Sequence, residues 1–112
     1  MWLAPEIMKK EQYTEKADVF SFGIIMWELI GRAVPFSEYE IAQSAFTYQL
    51  EDAIIGGLRP TVPEGQFCPH GWIALMEACW SGDPKARPQF EDISKRIRRI
   101  QDSISPKIAD ST

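Results

Sequence analysis

The chain has 112 residues, which suits one small domain or part of a larger one. Hydrophobic residues make up 45% and charged residues 25%, the composition of an ordinary soluble globular protein. Twelve basic against sixteen acidic residues give a net charge of −4. This balance argues against nucleic acid as the main partner, because domains that bind it usually carry a basic excess.

The N-terminal sequence lacks the basic region and apolar run of a signal peptide. The longest apolar stretch, Val19 to Ile30, is shorter than the roughly 20 residues that a membrane span requires. Cys68 and Cys79 form no CxxC pair, and with the single His70 they are too few for a zinc site. We therefore expect a soluble, cytoplasmic protein with reduced cysteines and no membrane span.

The first long predicted helix is apolar on nearly all sides. It runs from Val19 to Ile30 and ends at Gly31, a residue type common just after a helix. Asp18 is a good N-cap, since its carboxylate can accept backbone N–H groups and complement the helix dipole. Because this helix has no polar stripe, it should lie at the centre of the fold with protein around it.

Three amphipathic helices are predicted after the central one. The second runs from about Glu40 to Ile55 and is closed by Gly56 and Gly57, after which two prolines favour an extended connection. The third spans about residues 71–80, and the fourth begins near Pro88. Their apolar stripes are Trp72, Met76, Cys79 and Trp80 in the third helix, and Phe90, Ile93, Ile97 and Ile100 in the fourth. The pattern predicts an all-α domain over residues 1–101 and a polar, disordered tail over 102–112.

Three short motifs follow one another along the chain. Ala4, Pro5 and Glu6 form an Ala-Pro-Glu motif. DVFSFGIIMWEL follows at residues 18–29, and CWSGDPKARPQF at residues 79–90. Their order and spacing are specific, although each alone is weak. Over about residues 2–101 the chain thus resembles the C-terminal lobe of eukaryotic protein kinases, from the Ala-Pro-Glu motif onward.

The residues within these motifs are more similar to those of the tyrosine-kinase-like group of serine/threonine kinases than to those of tyrosine kinases. The resemblance implies a parent that phosphorylates protein substrates in signal transduction, with ATP and Mg²⁺ as cofactors of the full-length family. It also implies the all-helical subdomain of the lobe, with the helix after Asp18 at its centre.

The resemblance carries specific roles onto a few residues. Glu6 and Arg87 match a family pair that ties the substrate loop to the lobe, and an arginine fork can bind a carboxylate bidentately. Asp18 matches an aspartate that holds the catalytic loop, and Trp2 and Leu3 match residues beside the pocket for the substrate residue after the phosphorylation site. Without the resemblance, Glu6 and Arg87 would be interpreted as solvated charges. Trp2 and Leu3 would be interpreted as residues that pack on the core.

Other conspicuous residues have plainer interpretations. Trp27, Trp72 and Trp80 are expected in the core, and Glu28 at its rim. Cys79 is expected to pack rather than to act as a nucleophile, because no base stands near it in sequence. The basic run from Lys95 to Arg99 reads as the solvated face of the last helix, with a polyanion contact as the alternative.

The sequence lacks the motifs with which kinases bind and orient ATP. It contains no Gly-x-Gly-x-x-Gly loop, no strand lysine motif, no His-Arg-Asp and no Asp-Phe-Gly. We therefore expect no catalytic, cofactor-binding or metal-binding residue here and no activity from this chain alone. The expected partners are protein substrates or regulators and the missing N-terminal part of a kinase domain, without which the central helix would be partly open to water. The alternative function is a non-catalytic interaction module, with Glu40–Ile55 as its docking helix.

Overall fold

The computed structural model describes residues 2–39, 48–63 and 68–104. These ranges contain five α-helices, one short 3-10 helix at Pro84–Ala86 and no strand. The α-helices are α1 (Pro5–Met8), α2 (Lys16–Gly31), α3 (Tyr48–Ile55), α4 (Trp72–Cys79) and α5 (Phe90–Ile104). The all-α prediction is confirmed.

Helix α2 is the centre of the packing. It lies against α4, which in turn contacts α5, while α1 contacts α3. Gly23 sets the closeness of the crossing between α2 and α4, because a Cβ there would lie 3.0 Å from the Cβ of Cys79 and 3.1 Å from the carbonyl oxygen of Met76. The helices can touch backbone to backbone only because residue 23 has no side chain. The α2 side chains buried in this core are Ala17, Val19, Phe20, Ile24, Met26 and Trp27.

The start of α2 differs from the prediction. Asp18 is not the N-cap: the helix begins at Lys16, and Asp18 lies exposed in its first turn. The turn before it already has helical geometry, since Glu15 has φ −58° and ψ −15°. Thr14 shapes this turn, because its hydroxyl accepts the N–H of Lys16 at 3.2 Å. Asp18 therefore can complement the helix dipole but does not cap the helix.

One face of α2 is open to solvent. Ile25 is 47% exposed and Leu29 is 63% exposed, and the two lie one helical turn apart. Phe22, half-buried on the preceding turn, packs edge-on against Phe90 with ring centroids 6.0 Å apart. Helix α2 is thus buried on the side of α4 and open on the other. The expectation of protein on every side is wrong for this chain, whereas the expected opening of the apolar helix to water is present.

Most residues of the predicted apolar stripes of α4 and α5 are buried or half-buried, but Phe90, at the start of α5, is 43% exposed. The segment 40–47 lies outside the described residues, so α3 is seen only from Tyr48. Helix α5 continues to Ile104, so the predicted boundary after residue 101 falls inside a helix, and residues 105–112 lie outside the described part. The inward side chains of α4 and α5 are Leu75, Met76, Cys79, Ile93 and Ile100. No helix in the described ranges has both the length and the apolar character needed to cross a membrane.

We expect Gly23→Ala to lower the free energy of unfolding. The added methyl would crowd Cys79 and the α4 backbone, and overpacking typically costs about 1–3 kcal/mol, more than the gain of about 1 kcal/mol in helix propensity. Gly56→Ala is the matched control, since its nearest contact would be an ordinary 3.4 Å. Urea unfolding monitored by circular dichroism measures the free energy of unfolding of both variants. A Gly23→Ala chain as stable as the control would contradict the tight crossing.

Candidate functional site

The Ala-Pro-Glu segment opens a short helix that directs Glu6 inward. The carbonyl of Ala4 accepts the N–H groups of Ile7 at 3.0 Å and Met8 at 3.1 Å. Pro5 occupies the first helical turn, where its missing N–H costs nothing. Ala4 is fully buried and Glu6 is 5% exposed. The turn therefore places a carboxylate inside the protein.

Glu6 meets Arg87 in a bidentate ion pair. Arg87 Nη1 donates to Glu6 Oε2 at 2.7 Å, and Arg87 Nη2 donates to Glu6 Oε1 at 2.9 Å. Arg87 is 1% exposed, so both charges lie away from solvent. The structure thus brings together two residues that are 81 positions apart in the chain.

The rest of the Arg87 guanidinium is also hydrogen-bonded. Its Nε donates to the carbonyl of Ser81 at 2.8 Å, and Nη1 donates to the carbonyl of Lys16 at 2.8 Å. Lys16 reciprocates through its Nζ, which donates to the carbonyl of Arg87. A buried ion pair is stable only when such additional bonds satisfy the charged groups. Arg87 therefore joins α1, the start of α2 and the loop before α5 at one point.

A second arginine, which the sequence analysis did not identify, supports the same region. Arg59 Nε donates to the carbonyl of Trp80 at 2.8 Å, and its Nη1 donates to that of Ile54 at 2.9 Å. The guanidinium carbons of Arg59 and Arg87 lie 4.9 and 5.2 Å from the ring centroid of Phe20, within cation–π range. Burial, and then the charge of Arg87, lower the pKa of Arg59 to about 10. The only sequence signal was its position in the Leu-Arg-Pro connection after α3.

The environment of Glu6 favours its ionised form. Burial by itself would raise its pKa, but the hydrogen bonds from Arg87 and from the backbone lower it, as do the charges of Arg87 and Lys9. The net pKa of Glu6 lies below its ordinary value of 4.5. The carboxylate is thus charged, and the ion pair intact, at neutral pH.

Trp2 lies next to this anchor and packs on the loop after α2. Its ring centroid is 5.4 Å from that of Phe36, and its carbonyl accepts a hydrogen bond from the hydroxyl of Ser21. Phe36 is buried with φ of 70°, an unusual conformation for an aromatic residue. Leu3, like Trp2, is half-buried. The substrate-facing role of Trp2 and Leu3 stays a prediction.

The remaining candidates lie apart from the Glu6–Arg87 pair. Asp18 is exposed on α2, and Glu28 is half-buried near the end of that helix. Cys79 is buried, and burial raises its pKa to about 11 against the opposing charge of Arg96. Its thiol is therefore protonated at neutral pH, as suits a packing residue and not a nucleophile.

Comparison with known proteins identifies the family of this chain. The sequence profile of the family described as "Protein tyrosine and serine/threonine kinase" matches residues 1–97. This chain belongs to the protein kinase family. The kinase profile covers the Ala-Pro-Glu segment, α2 and the loop that carries Arg87, the three elements that meet at the buried ion pair.

Known relatives of this kinase segment are much longer proteins. The "Probable serine/threonine-protein kinase roco5" of Dictyostelium discoideum is 50% identical over 113 residues, which cover all of this chain but 4% of that protein. "Probable serine/threonine-protein kinase roco7" of the same organism is 46% identical over 93% of this chain. "Cyclic GMP-binding protein C", also from that organism, is 42% identical over 95% of this chain and 4% of its own length. The chain spans about one twenty-fifth of the length of roco5.

We expect the ion pair to make stability depend on acid pH. Glu6 has a lowered pKa in the fold, so its contribution is present above the unfolded-state pKa and is lost as pH falls through the folded-state pKa. Between about pH 5 and 3, unfolding free energies from urea titrations should fall in the wild-type chain and fall less in Glu6→Gln. At pH 7, Glu6→Gln should cost about 3–5 kcal/mol, because it leaves Arg87 buried without a counter-charge.

Glu11→Gln is the control for that experiment. Glu11 also pairs with a cation, Lys9, at 3.1 Å, but its side chain is 55% exposed. Its loss should change stability by less than about 1 kcal/mol. Equal effects of the two substitutions would show that the Glu6–Arg87 pair is not the acid-sensitive contact.

Proposed function

We propose that this chain is the distal, substrate-loop-anchoring part of the catalytic domain of a serine/threonine protein kinase of the tyrosine-kinase-like group. The observation that carries the proposal is the buried bidentate contact between Glu6 and Arg87. It lies close in sequence to Trp2, whose carbonyl accepts a hydrogen bond from Ser21 of α2 and whose ring packs against Phe36 in the following loop. A loop held in this way can present a constant surface to a protein substrate, which is what positioning in phosphoryl transfer requires.

The chain supplies the Glu6–Arg87 contact but not the motifs with which kinases carry out phosphoryl transfer. Kinases neutralise and orient the phosphates with a Gly-rich loop, a strand lysine and Mg²⁺-binding aspartate and asparagine residues, none of whose motifs this sequence contains. The pair Gly56–Gly57 follows α3 as its C-terminal turn, where the N–H of Gly57 bonds to the carbonyl of Ile54 at 3.0 Å. The residues present therefore do not fit ATP and Mg²⁺, and we infer that the chain alone is catalytically inactive.

The open face of α2 is proposed to receive the preceding part of the kinase domain. Ile25 and Leu29 present apolar side chains to water with Phe22 and Phe90 beside them. The relatives continue far beyond the matched segment, so a covering element is available to such a domain. In a cytoplasmic protein this contact would hide the apolar surface that the isolated chain exposes.

We expect the 112-residue chain to show neither ATP binding nor phosphoryl transfer. A nucleotide present at a hundred times its Kd would stabilise a binding protein by about 2.7 kcal/mol, so thermal unfolding with and without Mg²⁺-ATP is a sensitive test. A longer protein that contains this segment should instead be stabilised by Mg²⁺-ATP. It should also transfer phosphate to serine or threonine, as measured by phosphoamino acid analysis. A thermal shift in the short chain, or phosphotyrosine as the sole product of the long one, would refute the proposal.

We expect the open face of α2 to cause self-association of the isolated chain. The double variant Ile25→Gln/Leu29→Gln should lower the weight-average mass in sedimentation equilibrium, because it removes the apolar surface without touching the core. Tyr13→Gln/Val34→Gln is the control, since these side chains are 66% and 65% exposed but lie outside α2. A monomeric wild-type chain, or equal effects of both double variants, would count against this role of α2.

A further inference from the structure

A cleft of about 230 Å³ lies between the start of α4 and the second half of α5, away from the Glu6–Arg87 pair. Its volume is below the range of about 300–1,000 Å³ in which pockets for whole small molecules usually fall. It suits a single chemical group carried on a larger molecule. The cleft is lined by His70, Gly71, Arg96, Arg99, Ile100 and Ser103.

The two arginines of this cleft carry charge without a carboxylate partner. Within the described ranges there are three ion pairs, Lys9–Glu11, Glu6–Arg87 and Lys95–Glu91, and none involves Arg96 or Arg99. Arg96 is half-buried and Arg99 is exposed, so both guanidinium groups remain reachable from the cleft. Two unmatched cations three residues apart on one helix face raise the positive potential there.

The start of α4 adds to this potential and keeps the cleft open. Gly71 precedes the eight-residue helix with φ of 89°, and no side chain caps the helix start. The first N–H groups of a helix carry partial positive charge. Gly71 also forms part of the wall: a Cβ there would lie 3.5 Å from Ile100 Cγ1 and would narrow the space.

We propose that this cleft binds the phosphoryl group of a phosphorylated serine or threonine in a protein segment. A phosphate monoester has nearly two negative charges and three acceptor oxygens. Arginine pairs match these oxygens with bidentate hydrogen bonds, which is the usual basis of phosphopeptide recognition. Arg96 and Arg99 supply the two forks, and the imidazole of His70 a further polar contact.

The charge pattern of α5 favours one local phosphoryl group over an extended polyanion. The cationic run shares its helix with three acidic residues, Glu91, Asp92 and Asp102, and the whole chain has a net charge of −4. An anionic membrane or a nucleic acid would meet these carboxylates as well as the arginines. A single phosphoryl group touches only the cleft. The proposal is independent of whether the chain functions within a kinase domain.

The test uses the 112-residue chain and a seven-residue peptide with one phosphoserine flanked by glycines. Titration followed by ¹H–¹⁵N NMR should give saturable shifts at Gly71 and Ser103, and the same peptide with serine should give none. Arg96→Gln and Arg99→Gln should each weaken binding at least about tenfold, the loss expected for one charged hydrogen bond. Arg98→Gln removes the same charge from α5 outside the cleft and should change the Kd less than about twofold. Circular dichroism checks that each variant is folded.

Three results would overturn the proposal. Shifts that do not saturate would show that the cleft has no site for a phosphoryl group. A loss with Arg98→Gln as large as with Arg99→Gln would show diffuse attraction to the whole helix. Displacement of the peptide by phosphatidylserine vesicles, through the same two arginines, would show that the partner is a membrane surface and not a phosphorylated protein.

Discussion

The buried contact between Glu6 and Arg87 is the constraint on which the placement of the Ala-Pro-Glu segment, the start of α2 and the loop before α5 depends. Two charges out of water are expensive, and the attraction between them repays that cost only when the geometry is good and other donors are satisfied. Here the carboxylate takes both arms of the guanidinium, and the remaining N–H groups bond to the carbonyls of Lys16 and Ser81. The start of the chain, the start of α2 and the loop before α5 are thereby held at one place.

The arginines of this chain differ in what surrounds them, and this decides what each can do. Arg87 is buried with a carboxylate, and Arg59 is held by backbone carbonyls with its pKa lowered to about 10 by burial and by Arg87. The guanidinium groups of both arginines lie over the ring of Phe20, so both contribute to the stability of the fold. Arg96 and Arg99 have no such carboxylate within the described residues and line a cleft instead. Their positive charge is therefore available to bind an anionic partner.

The two sides of helix α2 have different surroundings. One side packs on α4 so closely that position 23 has no room for a side chain, and the other side leaves Ile25 and Leu29 in water. The proposed function places another part of a kinase domain on this open side. The relatives, in which the matched segment is about 4% of the protein, have ample chain from which the second cover can come.

The sequence by itself determined the helical class, the apolar stripes and the kinase family, because helical periodicity and the spacing of the three motifs are local properties of the chain. It also indicated Glu6 and Arg87, although only through the family pattern. The start of α2 is set locally, by Thr14 and Glu15 and not by Asp18, because the preceding turn already has helical geometry. Tertiary structure decided what depends on distant neighbours, such as the meeting of Arg87 with Glu6 and Lys16. The role of Arg59 and the cleft of Arg96 and Arg99 could not be predicted from the sequence. Burial and pairing are set by residues that meet only after the chain has folded.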